Sequence, residues 1–156
     1  MRTRTRTRLN RKKPLRSKRR TISDKTLDDA ARAVVFKRDG WRCTLCGTPY
    51  GLQWSHLRSR RYKTTCWLPQ NAMTHCGGCH EFKWHQPPPG FDPFAWHRER
   101  FPGYLELVDS LLLFKGPKPK LDRAELLGHL QRELERVEPN YVHDLAVFSH
   151  TREGAA

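Results

Sequence analysis

The sequence predicts an α+β fold, with a small zinc-stapled core, flanking α-helices and a disordered basic N-terminal tail. Three observations carry this. Two C-x-x-C pairs, Cys43/Cys46 and Cys76/Cys79, stand 29 residues apart, close enough in a small fold to share one tetrahedral ion. Short extended segments lie next to the pairs, and capped amphipathic segments lie outside them. Only 37% of the 156 residues are hydrophobic and 29% are charged. A chain this short and polar has little core to bury, and a structural metal offsets that shortage.

The elements follow in order. Residues 1–22 form the tail. Eleven Lys and Arg and no acid fall within the first 20 residues; the remaining nineteen basic residues face sixteen acidic ones. Most of the formal net charge of +14 therefore belongs to the tail. Such a block repels itself and does not fold alone. It fits an arm that tracks phosphates, with a purely solubilising tail as the alternative. No apolar stretch follows it as a secretory signal requires. The best apolar run, "YLELVDSLLLF", is interrupted by Glu106 and Asp109 and is too short to span a bilayer.

Residues 23–115 form the core unit. Thr26 with Asp29 marks a helix start, and Leu27, Ala30, Ala31, Val34 and Val35 follow helical spacing until Asp39-Gly40. "CTLCG" forms a knuckle, Leu52–His56 a strand, and "RSRRYKTT" a basic loop. Residues 72–76 pair back as a second strand. The second cysteine pair opens a short helix, from about Cys79 to His85, which "QPPPG" terminates. Asp92 caps a further helix with Pro93 at its first position, and an amphipathic segment spans Tyr104–Phe114. Residues 116–137 comprise a Pro-containing linker and a final helix opened by Asp122 and Glu125. Its apolar stripe, Leu126, Leu127, Leu130, Leu134 and Val137, packs on the domain or forms a dimer contact. Residues 138–156 are a second tail, with His143 and His150 as ordinary tail histidines.

Two C-x-x-C pairs without a secretory signal indicate a Cys₄ zinc site rather than a disulfide framework. A thioredoxin-like centre needs one pair in a βαβ setting, which is lacking. Cys66 is left over, as a small partly buried hydrophobe. Between and beside the pairs lie His56, Asn71 and His80. The hairpin puts His56 on a strand and His80 on the helix beside it, two imidazoles across a small cleft. Arg58, Arg60, Arg61 and Lys63 line it, with Lys83 on the helix as a further phosphate contact. A base for water and a cation beside phosphate suit phosphodiester hydrolysis.

The ordered motif C-x-x-C, His, Asn, C-x-x-C-H resembles the HNH endonucleases of the ββα-metal fold, in particular the phage and prophage type with four zinc cysteines. The resemblance runs through "RDGWRCTLCG", "WSHLRSRR" and "LPQNAMTHCGGCHEFKWH", and loosely through "FDPFAWHRERFPGYLELV", over about residues 30–137. It implies that the chain is a metal-dependent endonuclease cutting DNA, with DNA and phage packaging proteins as partners and no membrane. The location implied is cytoplasmic, in the host if the chain is phage encoded. It implies His56 as general base, Asn71 as the residue holding the His56 segment through its backbone, and His80 as ligand of a catalytic divalent metal. Cys43, Cys46, Cys76 and Cys79 hold structural Zn²⁺. Where many HNH enzymes carry Asp or His before the base, this chain has Ser55, a poor ligand. His85, five residues past His80, is off the same α-helical face and joins the metal only if the helix ends early. His75 lies either beside the metal ligands without binding or on the surface. An imidazole-dominated site favours Mn²⁺, Co²⁺ or Ni²⁺ over Mg²⁺. A base of ordinary pKa, about 6.5, serves in neutral solution. The alternatives are a non-catalytic zinc-containing nucleic-acid-binding module and a protein-interaction adaptor.

Overall fold

A computed structural model describes residues 21–116 and 120–139. The basic segment 1–20, residues 117–119 and residues 140–156 with His143 and His150 lie outside the described residues, so both tail expectations concern regions not described.

Helix α1 spans Asp24–Arg38. It starts earlier than the sequence pattern indicates, because the Ser23 hydroxyl accepts the Thr26 N–H at 3.1 Å and caps the first turn. Strands β1 (Leu52–His56) and β2 (Ala72–Cys76) form a two-stranded antiparallel ribbon, joined by the basic loop and the 3₁₀ turn Pro69–Asn71. A single helical turn, α2 (Gly77–Cys79), runs into a π-helical turn, His80–His85. Helices α3 (Pro93–Arg100), capped by Asp92, and α4 (Tyr104–Leu113) follow. Helix α5 (Arg123–Arg136) is capped by Asp122, whose carboxylate accepts from the N–H groups of Ala124 and Glu125.

Helix α1 is the centre of the packing. Leu27, Ala31 and Val34 bury against Leu130 of α5 and against Cys66 and Trp67. Leu126, Leu127 and Leu134 pack on the same cluster, so the apolar stripe of α5 is a packing surface. From α1, Val35 and Phe36 meet Ala72, Leu52 and Trp54 of the ribbon. The opposite ribbon face carries Met73, which packs with Leu57, Trp84 and Phe101.

A buried ion pair fixes the end of α1 on β2. The Arg38 guanidinium donates to the Asp39 carboxylate at 2.7 and 3.0 Å and to the carbonyls of Pro69 and Ala72 at 2.9 and 2.8 Å. The second Asp39 oxygen accepts the Thr74 N–H at 2.8 Å. With these polar atoms bonded, the pair offsets its own desolvation.

Candidate metal centre and nucleic-acid interface

The cysteines come together because both pairs sit at turns tied to β2. In the knuckle, the Cys43 N–H donates to the Thr48 carbonyl at 2.9 Å, and the Thr44 N–H donates to the Thr74 carbonyl at 2.8 Å. At the end of β2, Cys76 caps the turn that carries Cys79, with the Cys79 N–H 3.4 Å from the Cys76 sulphur. The sulphurs of Cys43, Cys46, Cys76 and Cys79 all lie within 4.8 Å of one another. Cys46 and Cys76 are 3.7 Å apart. A tetrahedral Zn–S distance of about 2.3 Å implies an S···S edge of about 3.8 Å. The thiols also compete for ionisation. Donation from the Cys79 thiol pulls Cys43 down to about 5, whereas burial with the neighbouring Cys43 pushes Cys46 up to about 11, and Cys79 is raised as well. A divalent cation resolves that conflict by binding all four as thiolates, so the donor set fits structural zinc. Cys66 stands apart, buried against α1.

The register of the ribbon pairs Gln53 with His75, Ser55 with Met73, Trp54 with Thr74 and His56 with Ala72. Strand alternation then separates two faces. Gln53, Ser55, Met73 and His75 face the His80–His85 turn; Trp54, His56 and Ala72 face α1. His56 and His80 therefore do not look at each other across one cleft, as the sequence pattern indicates. They lie on opposite faces of the ribbon, because His56 and Gln53, the residue that binds His80, are an odd number of positions apart.

His56 is half-buried, with its ring centroid 4.2 Å from that of Trp54. Its Nε2 lies 3.1 Å from the Cys66 carbonyl oxygen. A carbonyl only accepts, so Nε2 carries the proton and Nδ1 the lone pair. Burial, reinforced by the Arg60 cation, brings its pKa to about 4, below the ordinary value expected from sequence. Asn71 is fully buried. Its Oδ1 accepts the Arg58 N–H at 2.8 Å, and its Nδ2 donates to the carbonyls of Arg58 and Thr65, both at 3.1 Å. The strand end and the start of the basic loop are thereby clamped together.

His80 and His85 meet. Five residues on an α-helix come out about 140° apart. A π-turn closes its hydrogen bond on the fifth residue and restacks the two positions. The Gln86 N–H donates to the Glu81 carbonyl at 3.0 Å, and the Nε2 atoms of His80 and His85 are 3.0 Å apart. Gln53 Oε1, 2.7 Å from His80 Nδ1, accepts that N–H and leaves His80 Nε2 with its lone pair toward His85. Burial and the neighbouring His85 hold the His80 pKa below the ordinary imidazole value. Two imidazole nitrogens at 3.0 Å match adjacent ligands placed about 2.0–2.1 Å from one ion.

Two further residues lie wholly inside the fold. His75 is fully buried rather than on the surface, with its ring beside Trp84 and Trp96, and neither nitrogen finds a partner among the described residues. Burial holds its pKa down at about 3. Ser55 is also fully buried, and its hydroxyl finds no partner among the described residues.

The basic loop is not an open row of cations. Arg58 donates to both carboxylate oxygens of Asp109 on α4 at 2.7 Å each. Arg60 pairs with Asp28 and Lys63 with Asp24 of α1, while Arg61 lies on the Tyr62 ring and bonds its hydroxyl at 3.0 Å. Lys83 is half-buried in the π-turn. Gln53 and His97 are the residues that the sequence pattern does not single out. Gln53 is detectable only once the strand register is known. His97 is fully buried on α3, with both nitrogens lacking partners among the described residues. No helix among the described residues is long and apolar enough to cross a membrane. Comparison with protein-family models, with curated proteins and with solved structures returns no match.

Proposed function

We propose that the chain is a metal-dependent endonuclease of HNH type that hydrolyses DNA phosphodiester bonds. The observation that carries this reading is the 3.0 Å pairing of His80 and His85 Nε2, backed by Gln53 and set directly after the Cys₄ cluster. His80 and His85 would hold the catalytic ion, with water and substrate phosphate completing its shell. Bound there, Mn²⁺, Ni²⁺, Co²⁺ or Mg²⁺ supplies Lewis-acid stabilisation of charge on the phosphate and the departing 3′ oxygen. The protein supplies the proton chemistry. His56 is neutral at neutral pH and offers Nδ1 to a water, while the Cys66 carbonyl orients the ring and favours the imidazolium once a proton arrives. Asn71 keeps the strand end and the loop in fixed relation. The basic segment 1–20 adds phosphate contacts that read no sequence.

The placement of His56 and His80 on opposite faces favours a second reading, a non-catalytic zinc-containing nucleic-acid-binding module. Nicking of supercoiled plasmid separates the two. Wild type should nick with Mn²⁺ or Ni²⁺, and folded, zinc-loaded His80→Ala should not. Absence of nicking by zinc-loaded wild type with all four metals selects the binding module.

A further inference from the structure

Outside the imidazole and cysteine clusters, two large aromatic side chains stand in solvent on the zinc knuckle. Trp41 is 53% exposed and Tyr50 is 80% exposed. The knuckle register pairs Cys43 with Thr48 through the Cys43 N–H to Thr48 carbonyl bond. Trp41 lies two residues before Cys43 and Tyr50 two residues after Thr48, so the two aromatics flank the knuckle in sequence. Trp41 is also the one non-glycine residue at positive φ among the described residues, at φ 56°. L side chains avoid that region, and outliers of this kind concentrate at functional positions. The strained backbone is held by the Trp41 N–H bond to the Phe36 carbonyl at 2.7 Å, and the indole meets the Phe36 ring edge-on at 5.7 Å. About half of the Trp41 surface is thus left in solvent, with one side of the indole resting on Phe36.

One cation stands next to Trp41. Arg42, between Trp41 and the first zinc cysteine, is exposed and reaches back to the Gly47 carbonyl at 3.2 Å. The platform also sits at the His80 end of the ribbon. Tyr50 is three residues before Gln53, the hydrogen-bond partner of His80, and the Gly77 N–H beside the second cysteine pair donates to the Gly51 carbonyl at 3.1 Å. Exposed aromatic rings near an arginine suit the stacking of unpaired bases, since every base offers a π-face.

We infer that Trp41 and Tyr50, with Arg42 beside them, form a stacking site for unpaired nucleobases, which delivers a single-stranded segment toward His80 and His85. This rests on the nucleic-acid reading above and adds a substrate preference to it: strands with exposed bases, such as loops, flaps or junctions, bind ahead of continuous duplex.

The test is binding of the full, zinc-loaded chain to a fluorescent oligothymidylate and to an abasic strand of the same length, without added catalytic metal. Wild type should bind the base-bearing strand more tightly. Trp41→Gly keeps the positive φ comfortable and removes the ring; Tyr50→Ala removes a ring that packs little. Each should weaken oligothymidylate binding roughly five- to a hundredfold and leave abasic binding unchanged. Trp41→Phe should restore most of the loss. The melting temperature and zinc content of Trp41→Gly should stay at wild-type values. Equal wild-type affinity for the two strands overturns the inference, as does a base preference that survives both substitutions. A preference without plasmid nicking sinks the nuclease reading and leaves the stacking site; nicking without a preference does the reverse.

Discussion

His80 and His85 hold their Nε2 atoms 3.0 Å apart across a π-turn that places residues five apart on one side. An α-helix through the same residues would send them to different sides. In the proposed metal site both rings are needed. His85→Ala should therefore weaken binding of a second divalent ion by roughly ten- to a hundredfold, the scale on which even supporting residues of metal sites act. The Cys₄ zinc should remain. Calorimetric titration of Mn²⁺ into zinc-loaded protein measures this, and an unchanged affinity would remove His85 from the site. Mn²⁺ or Ni²⁺ should support faster nicking than Mg²⁺ at equal concentration.

Cys43→Ser or Cys76→Ser should uncouple folding from metal. Each removes one thiolate from a cluster whose four sulphurs lie within 4.8 Å of one another. Zinc content should fall and the melting transition should broaden or drop, because metal binding to such a site is part of the folding free energy. A variant with full zinc content and a wild-type melting curve refutes the cluster. Cys66→Ser, away from the cluster, should leave zinc content unchanged.

If the chain binds DNA as proposed, the acidic partners of the basic loop compete with phosphate. Arg58 and Asp109 are each about one-third exposed, a setting in which an ion pair contributes about 0–1 kcal/mol. Asp109→Asn should cost little stability, free the Arg58 guanidinium, raise DNA affinity a few-fold and steepen its salt dependence by about one charge. Unchanged affinity and salt slope would show that Arg58 does not meet DNA.

His97 should make the fold acid-sensitive. Burial, with the Arg38 cation beside it, holds its pKa at about 4, below the ordinary 6.5. The folded chain resists the proton that the unfolded chain accepts. Stability is then full above about pH 6.5 and declines as pH falls toward about 4, by up to roughly 3 kcal/mol. His97→Phe keeps the ring among Trp84, Phe101 and Tyr104 and removes both unpartnered nitrogens. Its urea midpoint should vary less than that of wild type between pH 7 and pH 5; an equal decline would assign the acid sensitivity elsewhere.

Breaking the Arg38–Asp39 pair should destabilise the fold strongly. Arg38→Ala strands a carboxylate that is 1% exposed, a change that typically costs about 3–5 kcal/mol. Urea unfolding measures it, and a loss below about 1 kcal/mol would mean that the pair is not what docks α1 onto β2.

The local elements were legible in the sequence because their causes are local. Asp92 with Pro93, and Asp122 before the Leu-rich stripe, cap helices α3 and α5 by reaching N–H groups two or three residues away. The cysteine spacing alone indicated a four-sulphur cluster, since two turns suffice to aim each pair. The relations among His56, His80 and His85 were not legible. Whether His56 faces His80 depends on the parity of the strand positions and on which helix covers which face, and α1 and the π-turn took opposite sides. Whether His85 meets His80 depends on one extra residue of helical winding, in a turn whose Trp84 packs against Met73 and Phe101. The pairing of Arg58, Arg60 and Lys63 with Asp109, Asp28 and Asp24 joins residues 32 to 51 positions apart, and only the packing of α1 and α4 against the loop brings those charges together.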